Sequence, residues 1–204
     1  MVTRSPSRMH FSIRPGRPDE VPLLCDSIAA LELWQQLGIS SQELQFACTH
    51  DPMRLIYVAE ATGLPAACIM FRAEQALKFL CERVFRSGII YPPENPDGIP
   101  PQSLPDGGYV NMLAVFEASQ GRGMGAALLE AAEQRSAESS DRMYLCVSEV
   151  NSRARAFYER NGYSFVAEAH DCVRPGNTEH LMVKALQADD LNRTGKQFHP
   201  SPPV

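Results

Sequence analysis

Y-V-N-M-L-A-V-F-E-A-S-Q-G-R-G-M-G, residues 109 to 125, runs directly into A-A-L-L-E-A-A-E-Q-R. It begins as an apolar run that suits a buried strand, passes through a short link, and meets three glycines just before a segment of strong helix formers. A strand, a glycine turn and a helix start together make an anion site. Gly121, Gly123 and Gly125 carry no Cβ where several backbone N–H groups can turn toward one point, and the helix start adds the positive end of its dipole. Arg122, inside the loop, can add a charged fork or point into water. A phosphate or pyrophosphate is the ligand that suits such a loop.

Spacing separates the readings of this loop. A Walker A loop requires Lys-Ser/Thr after its last glycine, and here Gly125 is followed by Ala126 and Ala127, which excludes it. A dinucleotide fingerprint fits better, because Gly121, Gly123 and Ala126 match G-x-G-x-x-A. Against it, Phe116 to Gln120 separate the strand from the glycines, and the chain offers no second βαβ half. A nucleotide-binding oxidoreductase fragment is therefore the rival reading.

Read as Q-x-x-G-x-G, from Gln120 through Gly123 to Gly125, the loop resembles the acetyl-CoA pyrophosphate loop of the GNAT N-acetyltransferase superfamily. L-A-V at Leu113, Ala114 and Val115 resembles the family's fourth strand. N-S-R-A-R-A-F-Y-E-R-N-G-Y, from Asn151 to Tyr163, resembles its second motif, and E-H-L-M-V-K-A-L, from Glu179 to Leu186, resembles its closing strand. The resemblance covers the chain from about Phe11 to Leu186. It implies a mixed α/β fold with a central, mostly antiparallel twisted sheet of about six to seven strands, one splayed parallel pair, and flanking helices.

Composition sets the frame for these motifs. With 204 residues and 44% hydrophobic content the chain is long enough for one sizeable core and short for two. A net charge of −5 leaves no basic stripe for nucleic acid, and no apolar run reaches the length of a membrane span. Six cysteines, at 25, 48, 68, 81, 146 and 172, lie scattered without a C-x-x-C pair or a secretory apolar core ahead of them, so reduced thiols and a cytoplasmic location are expected. Residues 1–10 read as a disordered leader and 188–204 as a disordered tail, around a domain spanning 11–187 with an inserted helix and proline-rich loop at 74–108.

Element by element, Phe11 to Arg14 reads as a first strand. Asp19 reads as the N-cap of a first helix that continues to Trp34, and Gly38 breaks it. Ser40 or Ser41 caps a shorter helix through Ala47. Leu55 to Ala61 and Ala66 to Phe71 read as an antiparallel hairpin. Leu77, Leu80, Cys81, Val84 and Phe85 mark an amphipathic helix ending near Gly88, and the prolines between Ile89 and Gly108 read as a loop throughout. Met124, Ala127, Leu128, Ala131 and Ala132 form the apolar face of the helix after the glycines. Met143 to Val147 reads as a buried parallel strand, Asn151 opens a helix with Gly162 as its C′ residue, and Tyr163 to Ala169 and His180 to Leu186 are the last strands.

Acetyl transfer to an amine requires a held donor, an in-line neutral amine, oxyanion donors and a proton for the leaving thiolate. The resemblance assigns the donor-binding parts to Gln120, Gly121, Arg122, Gly123, Met124, Gly125 and Ala126 around the pyrophosphate. It assigns the backbone of Leu113, Ala114 and Val115 to the thioester carbonyl, and Asn151, Ala154 and Tyr158 to the pantetheine arm and sulfur. Tyr158 matches the family tyrosine that protonates the departing sulfur. The family's strand-four glutamate is replaced by Asn111, which cannot accept a proton but can hold a water that relays it, with Glu149 as a candidate base. His170, Asp171 and Cys172 are consecutive, so as strand residues they cannot converge on one point, and no metal site is expected.

These parts imply acetyl-CoA as cosubstrate and a primary amine, on a small molecule, as acceptor. Acetylation of a protein or peptide amine and a non-catalytic CoA-binding module are the alternatives. No nucleic-acid or membrane partner is expected, and a homodimer is compatible with the reading.

Overall fold

The computed structural model describes residues 10–80, 104–171 and 175–186, and the backbone of Ile89 and Ile90. The expectations for the leader, the tail, the inserted helix beyond Leu80, most of the proline-rich loop and Cys172 lie outside these residues.

β1 (Ser12–Pro15) pairs antiparallel with β2 (Leu55–Ala61), which forms the expected hairpin with β3 (Leu64–Arg72). β5 (Gly108–Val115) runs antiparallel to β3 and parallel to β6 (Arg142–Ser148). β8 (Thr178–Ala185) lies antiparallel between β6 and β7 (Ser164–His170), and β4 (Ile89–Ile90) adds itself to the outer edge of β7. The order across the sheet is therefore β1-β2-β3-β5-β6-β8-β7-β4, antiparallel everywhere except at β5 and β6.

Two features differ from the sequence reading. The described sheet has eight strands because Ile89 and Ile90, expected in a loop, pair as β4. Their prolines begin only at Pro92, so both kept the N–H groups that an edge strand needs. The strand expected as fourth is consequently β5. Second, the long first helix is broken: a 3-10 turn (Pro18–Glu20) leads into α1 (Val21–Ala29), Leu31 is extended, and α2 (Glu32–Gln36) follows. Asp19 caps nothing. The turn is held instead by Glu20, whose buried carboxylate takes Arg14 at 2.6 and 2.8 Å and Arg17 at 2.8 Å, which holds its pKa at about 2. Arg14 also reaches Glu60 at 2.8 Å, tying the turn to β2. The helix expected over 77–88 is present in its described part as α4 (Ala76–Phe79), and its remainder lies outside the described residues.

Elsewhere the local signals act as read. Ser40 caps α3 (Ser41–Thr49) in a box with Glu43, which returns 2.8 Å to the Ser40 N–H. α5 (Met124–Ala137) follows the glycines, α6 (Ser152–Arg160) follows β6, and Cys25, Cys48, Cys68 and Cys146 are free thiols.

The two faces of the sheet are packed differently. α5 and α6 cover one face, where Leu128, Leu129, Ala132 and Tyr158 join Ile69, Phe71, Val110, Leu145 and Met182 in one continuous cluster. The opposite face is divided. Leu24, Cys25, Ile28 and Leu44 from α1 and α3 pack over Val58, Cys68, Met70, Met112 and Ala114. Ala76, Leu80 and Leu104 pack over Tyr109, Tyr144, Ala169 and Leu181. The division falls on β5, between Tyr109 in one cluster and Met112 in the other.

One ion pair joins α5 to the second half of the sheet: Lys184 Nζ on β8 donates to Glu133 Oε2 at 2.6 Å. Burial raises the Glu133 pKa and Lys184 opposes that rise, leaving it above the ordinary value. Stability from this group is thus fully present at low pH and is lost as pH rises through the raised value. Lys184→Met should cost about 2 kcal/mol at pH 8, less than for a fully buried pair because the lysine is partly exposed. Urea melts at about pH 4 should show the deficit largely gone, since a protonated Glu133 needs no cation. An equal deficit at both pH values would mean that the lysine acts through packing.

Candidate active site

The site begins where a ladder stops. Parallel pairing of β5 with β6 holds for Gly108 with Met143, Tyr109 with Tyr144 and Val110 with Leu145, and goes no further, although both strands continue. At the same level the β3–β5 register shifts. Phe71 pairs with Val110 and Met70 with Met112, so Asn111 is the extra residue of a bulge. A bulge bends its strand and increases local twist, which turns the rest of β5 away from β6 and opens a gap through the sheet.

Beyond the bulge, alternation decides which backbone groups face that gap. Phe116 N–H donates to Ala66 O on β3 at 3.1 Å. The N–H groups of Ala114 and Met112 therefore also point to β3, and those of Leu113 and Val115 point to the gap. The expected donor stretch, Leu113 to Val115, thus resolves into two donors flanking Ala114, whose side chain is buried among the α1 and α3 residues. Asn111 is half-buried, and its Oδ1 is fully enclosed without a hydrogen-bond partner among the described residues.

The glycine loop adjoins the end of β5. After a 3-10 turn (Glu117–Ser119), the Gln120 side chain donates through Nε2 to Val115 O at 3.2 Å, which holds the link against the strand end. Gly121 and Gly123 have φ of +73° and +82°, where any other residue is strained, and a Cβ on either would meet nothing within 4 Å. The loop's outer side is open. Gly123 is the N-cap of α5, and Ala127 N–H is bonded back to Gly123 O at 3.1 Å. Helix geometry leaves the N–H groups of Met124, Gly125 and Ala126 in the turn before it for an outside acceptor. At Gly125 the need is space, since a Cβ would stand 3.3 Å from Val115 Cγ2 and 3.6 Å from Phe157 Cζ. Arg122 is exposed on this loop and Met124 is buried beneath it. A pyrophosphate fits the open N–H cradle, and an extended arm with amide groups fits the gap beside Leu113 and Val115.

Tyr158 is fixed by both ends of α6. At the start, Asn151 Oδ1 accepts from Ala154 N–H at 3.1 Å, so Asn151 is the N-cap and lies just outside the helix. At the end, Gly162 has φ +90°, Tyr163 N–H donates to Tyr158 O at 3.1 Å and Gly162 N–H to Glu159 O at 3.0 Å, the two bonds of a Schellman motif. The Tyr163 ring packs against Tyr158 at 5.7 Å between centroids. Burial pushes the Tyr158 phenol well above its ordinary pKa, so its hydroxyl keeps its proton through the neutral range. Ala154 is half-buried one turn before it.

The remaining candidates are spread out. Glu149 is exposed in the turn after β6, where its N–H donates to Thr178 O at 2.9 Å. His170 ends β7, with Nδ1 3.2 Å from Thr178 Oγ1, and Asp171 leaves the strand at φ +56°. Among the described residues no group of three His, Cys, Asp or Glu side chains could hold a metal ion. The residue that motif reading passed over is Glu179 on β8, 4% exposed, with burial pushing its pKa up to about 7. The signal for it was strand alternation: Glu179 shares a face with the buried Leu181, an inward position where an acid is uncommon.

Comparison with known proteins bears on this site directly. None of the curated proteins matches the chain. Solved structures share the fold. Arabidopsis thaliana NAA60 in complex with acetyl-CoA is 17% identical, with a TM-score of 0.60 over 87% of this chain and 99% of that one. A ribosomal-protein alanine N-acetyltransferase from Escherichia coli is 15% identical, TM-score 0.58, over 93% and 99%. A spermidine N-acetyltransferase, a chimera of Vibrio cholerae SpeG and hSSAT, is 16% identical, TM-score 0.57, over 90% and 99%. The sequence model of the acetyltransferase (GNAT) family matches residues 24–163, a span that takes in the bulged strand, the glycine loop and Tyr158, and the chain accordingly belongs to the acetyltransferase (GNAT) family.

Proposed function

We propose that this chain is an N-acetyltransferase that moves an acetyl group from acetyl-CoA to a primary amine of a small molecule, by direct transfer in a ternary complex. The family's acetyl donor is acetyl-CoA. The observation that carries the reading is the meeting of three features: the β5–β6 gap opens at Val110 and Leu145, the α5 N-terminus adjoins its far end, and the buried Tyr158 hydroxyl lies in the same cluster as Val110 and Val115. In this reading the Gln120 to Ala126 loop holds the pyrophosphate, and the Leu113 and Val115 N–H groups polarise the thioester carbonyl. The Asn151 amide steadies the pantetheine arm, and Tyr158 delivers a proton to the leaving sulfur. Asn111 Oδ1, an acceptor in want of a donor, holds an N–H of the amine or a water beside it.

A second reading, transfer to a protein or peptide amine, draws support from the fold shared with the Escherichia coli enzyme, which acts on a ribosomal-protein alanine. Acceptor panels of polyamines, amino acids and short peptides, read by release of free CoA thiol, distinguish the two. A cytoplasmic location belongs to the same proposal. Among the described residues no helix is long and apolar enough to cross a membrane.

Two variants test the assignments. Gly123→Leu places a side chain at φ +82° on the open side of the loop. It should weaken acetyl-CoA binding by about 10-fold or more while circular dichroism stays native, because the N–H cradle loses its shape. Unchanged calorimetric affinity in the folded variant would place the pyrophosphate elsewhere. Tyr158→Phe keeps the ring and its packing. General acid catalysis is worth about 10²- to 10⁴-fold, so kcat should fall within that range with acetyl-CoA affinity little changed. A normal kcat would move the proton donor to water or to another residue.

A further inference from the structure

One buried carboxylate has no role in the fold or in the assignments above. Glu179 lies on β8 in register with Ser148 of β6 on one side and Ala169 of β7 on the other. Its side chain is on the face that carries Leu181, Tyr144 and Tyr109, opposite α5 and α6. No hydrogen bond or ion pair with a described residue reaches its carboxylate. Cys146 and Tyr144 of β6 share its face, as does Tyr109 of β5, while β7 contributes Val166, Ala167 and Ala169 there. Glu168, His170 and His180 project from the other face. Arg142, the cation of β6 on that face, lies at the other end of the strand opposite Ala185, so among the described residues no charge offsets the cost of its burial.

Its place relative to the gap gives that cost a use. Ser148, its partner, lies past Leu145, the last residue of β6 still paired to β5, so Glu179 stands one strand from the gap at a level where the gap is open. The two sides of the gap are not equivalent. On the α5 and α6 side the core is continuous and contains Tyr158. On the Glu179 side the core divides into two clusters that part on β5, between Tyr109 and Met112 at the level of the bulge, and that division is the approach left to an acceptor when the donor fills the other side.

We propose that Glu179 is the general base of the transfer, taking a proton from the acceptor amine on the α1 and α3 side of the β5–β6 gap, directly or through one water. This rests on the acetyltransferase reading and adds to it the group that Asn111 cannot supply. As the nitrogen lone pair forms the C–N bond to the acetyl carbonyl carbon, a proton on that nitrogen passes to the Glu179 carboxylate. The C–S bond breaks with its electron pair on sulfur, which takes the Tyr158 proton. Glu179 then returns its proton to water, Tyr158 draws one back, and the sum is amine plus thioester giving amide plus thiol. A base whose own pKa sits near neutrality is suited to this work, and burial brings Glu179 to about 7. Acid and base stand on opposite faces of the sheet with the reacting carbon between them, so neither competes for the other's proton.

Glu179→Gln preserves shape and removes the base. With acetyl-CoA and spermidine, free amino acids or a short alanine-initiated peptide as acceptor, kcat should fall about 10²-fold or more at pH 7, while the calorimetric affinity for acetyl-CoA and the melting temperature are kept. The acidic limb of the wild-type kcat profile, expected in the neutral range, should be absent from the variant. Glu179→Asp, which keeps the carboxylate, should restore part of the rate. A Glu179→Gln protein with wild-type kcat and an unshifted limb overturns the assignment and leaves the transferase standing. A wild-type protein that binds no acetyl-CoA, or acetylates no amine in the panel, overturns the transferase reading and this assignment with it.

Discussion

Everything functional in this fold depends on a parallel ladder that is cut short. Between β5 and β6 only three residue pairs are in register, and the bulge at Asn111 then swings β5 aside. A parallel pair elsewhere in the sheet would be sealed by its neighbours, and this one is left open because each strand has a strong antiparallel partner on its other edge. β3 holds β5 through Val115, and β8 holds β6 through Ser148. The unpaired edges therefore need no partner from the fold and are available to a ligand. The sheet is in effect two antiparallel arms joined over a short seam, with α5 laid across both. Its Glu133 bond to Lys184 fastens it to the second arm, and Gly125 lets it start against Val115 of the first.

The chemistry follows from how differently the two faces are finished. Tyr158 is held protonated by burial in a continuous core and steadied by the turn that ends its own helix. Glu179 is raised by burial on the face where the core is split. In the proposed mechanism the same cause, loss of water around an ionisable group, suits Tyr158 to act as the acid and Glu179 as the base.

Much of this was legible in the residues. Glycine spacing and helix formers gave the loop from Gln120 to Ala126, because each position there answers to a local backbone demand. Gly162 likewise announced the end of α6, and Ser40 with Glu43 the start of α3. What stayed hidden was non-local. The bulge at Asn111 exists only because β3 and β5 meet out of step, and nothing in Y-V-N-M-L marks the shift. The insertion of β8 between β6 and β7 depends on which edges remain free once the earlier strands have paired. Asp19 had the form of an N-cap, yet the buried Glu20 beside it, clamped by two arginines, fixed the turn instead. Glu149 drew attention by its place at a strand end, whereas Glu179 was overlooked because its significance lies in its burial between β6 and β7, which depends on how the strands pair.

The two-residue strand β4 has a consequence for how the chain reaches this state. β1, β2, β3 and β5 form one arm, while Ile89 and Ile90, which lie between β3 and β5 in the chain, pair with Ala169 and Glu168 at the far edge. The pairings of the first arm need neither β4 nor β7, whereas the β4–β7 pairing waits for β7, synthesised much later. Closure of so distant a contact carries a loop-entropy cost before it yields any pairing, the feature that slows the folding of sheets with remote partners. The topology thus makes the outer edge of the second arm, rather than the seam on which the site is built, the part of the sheet expected to close last.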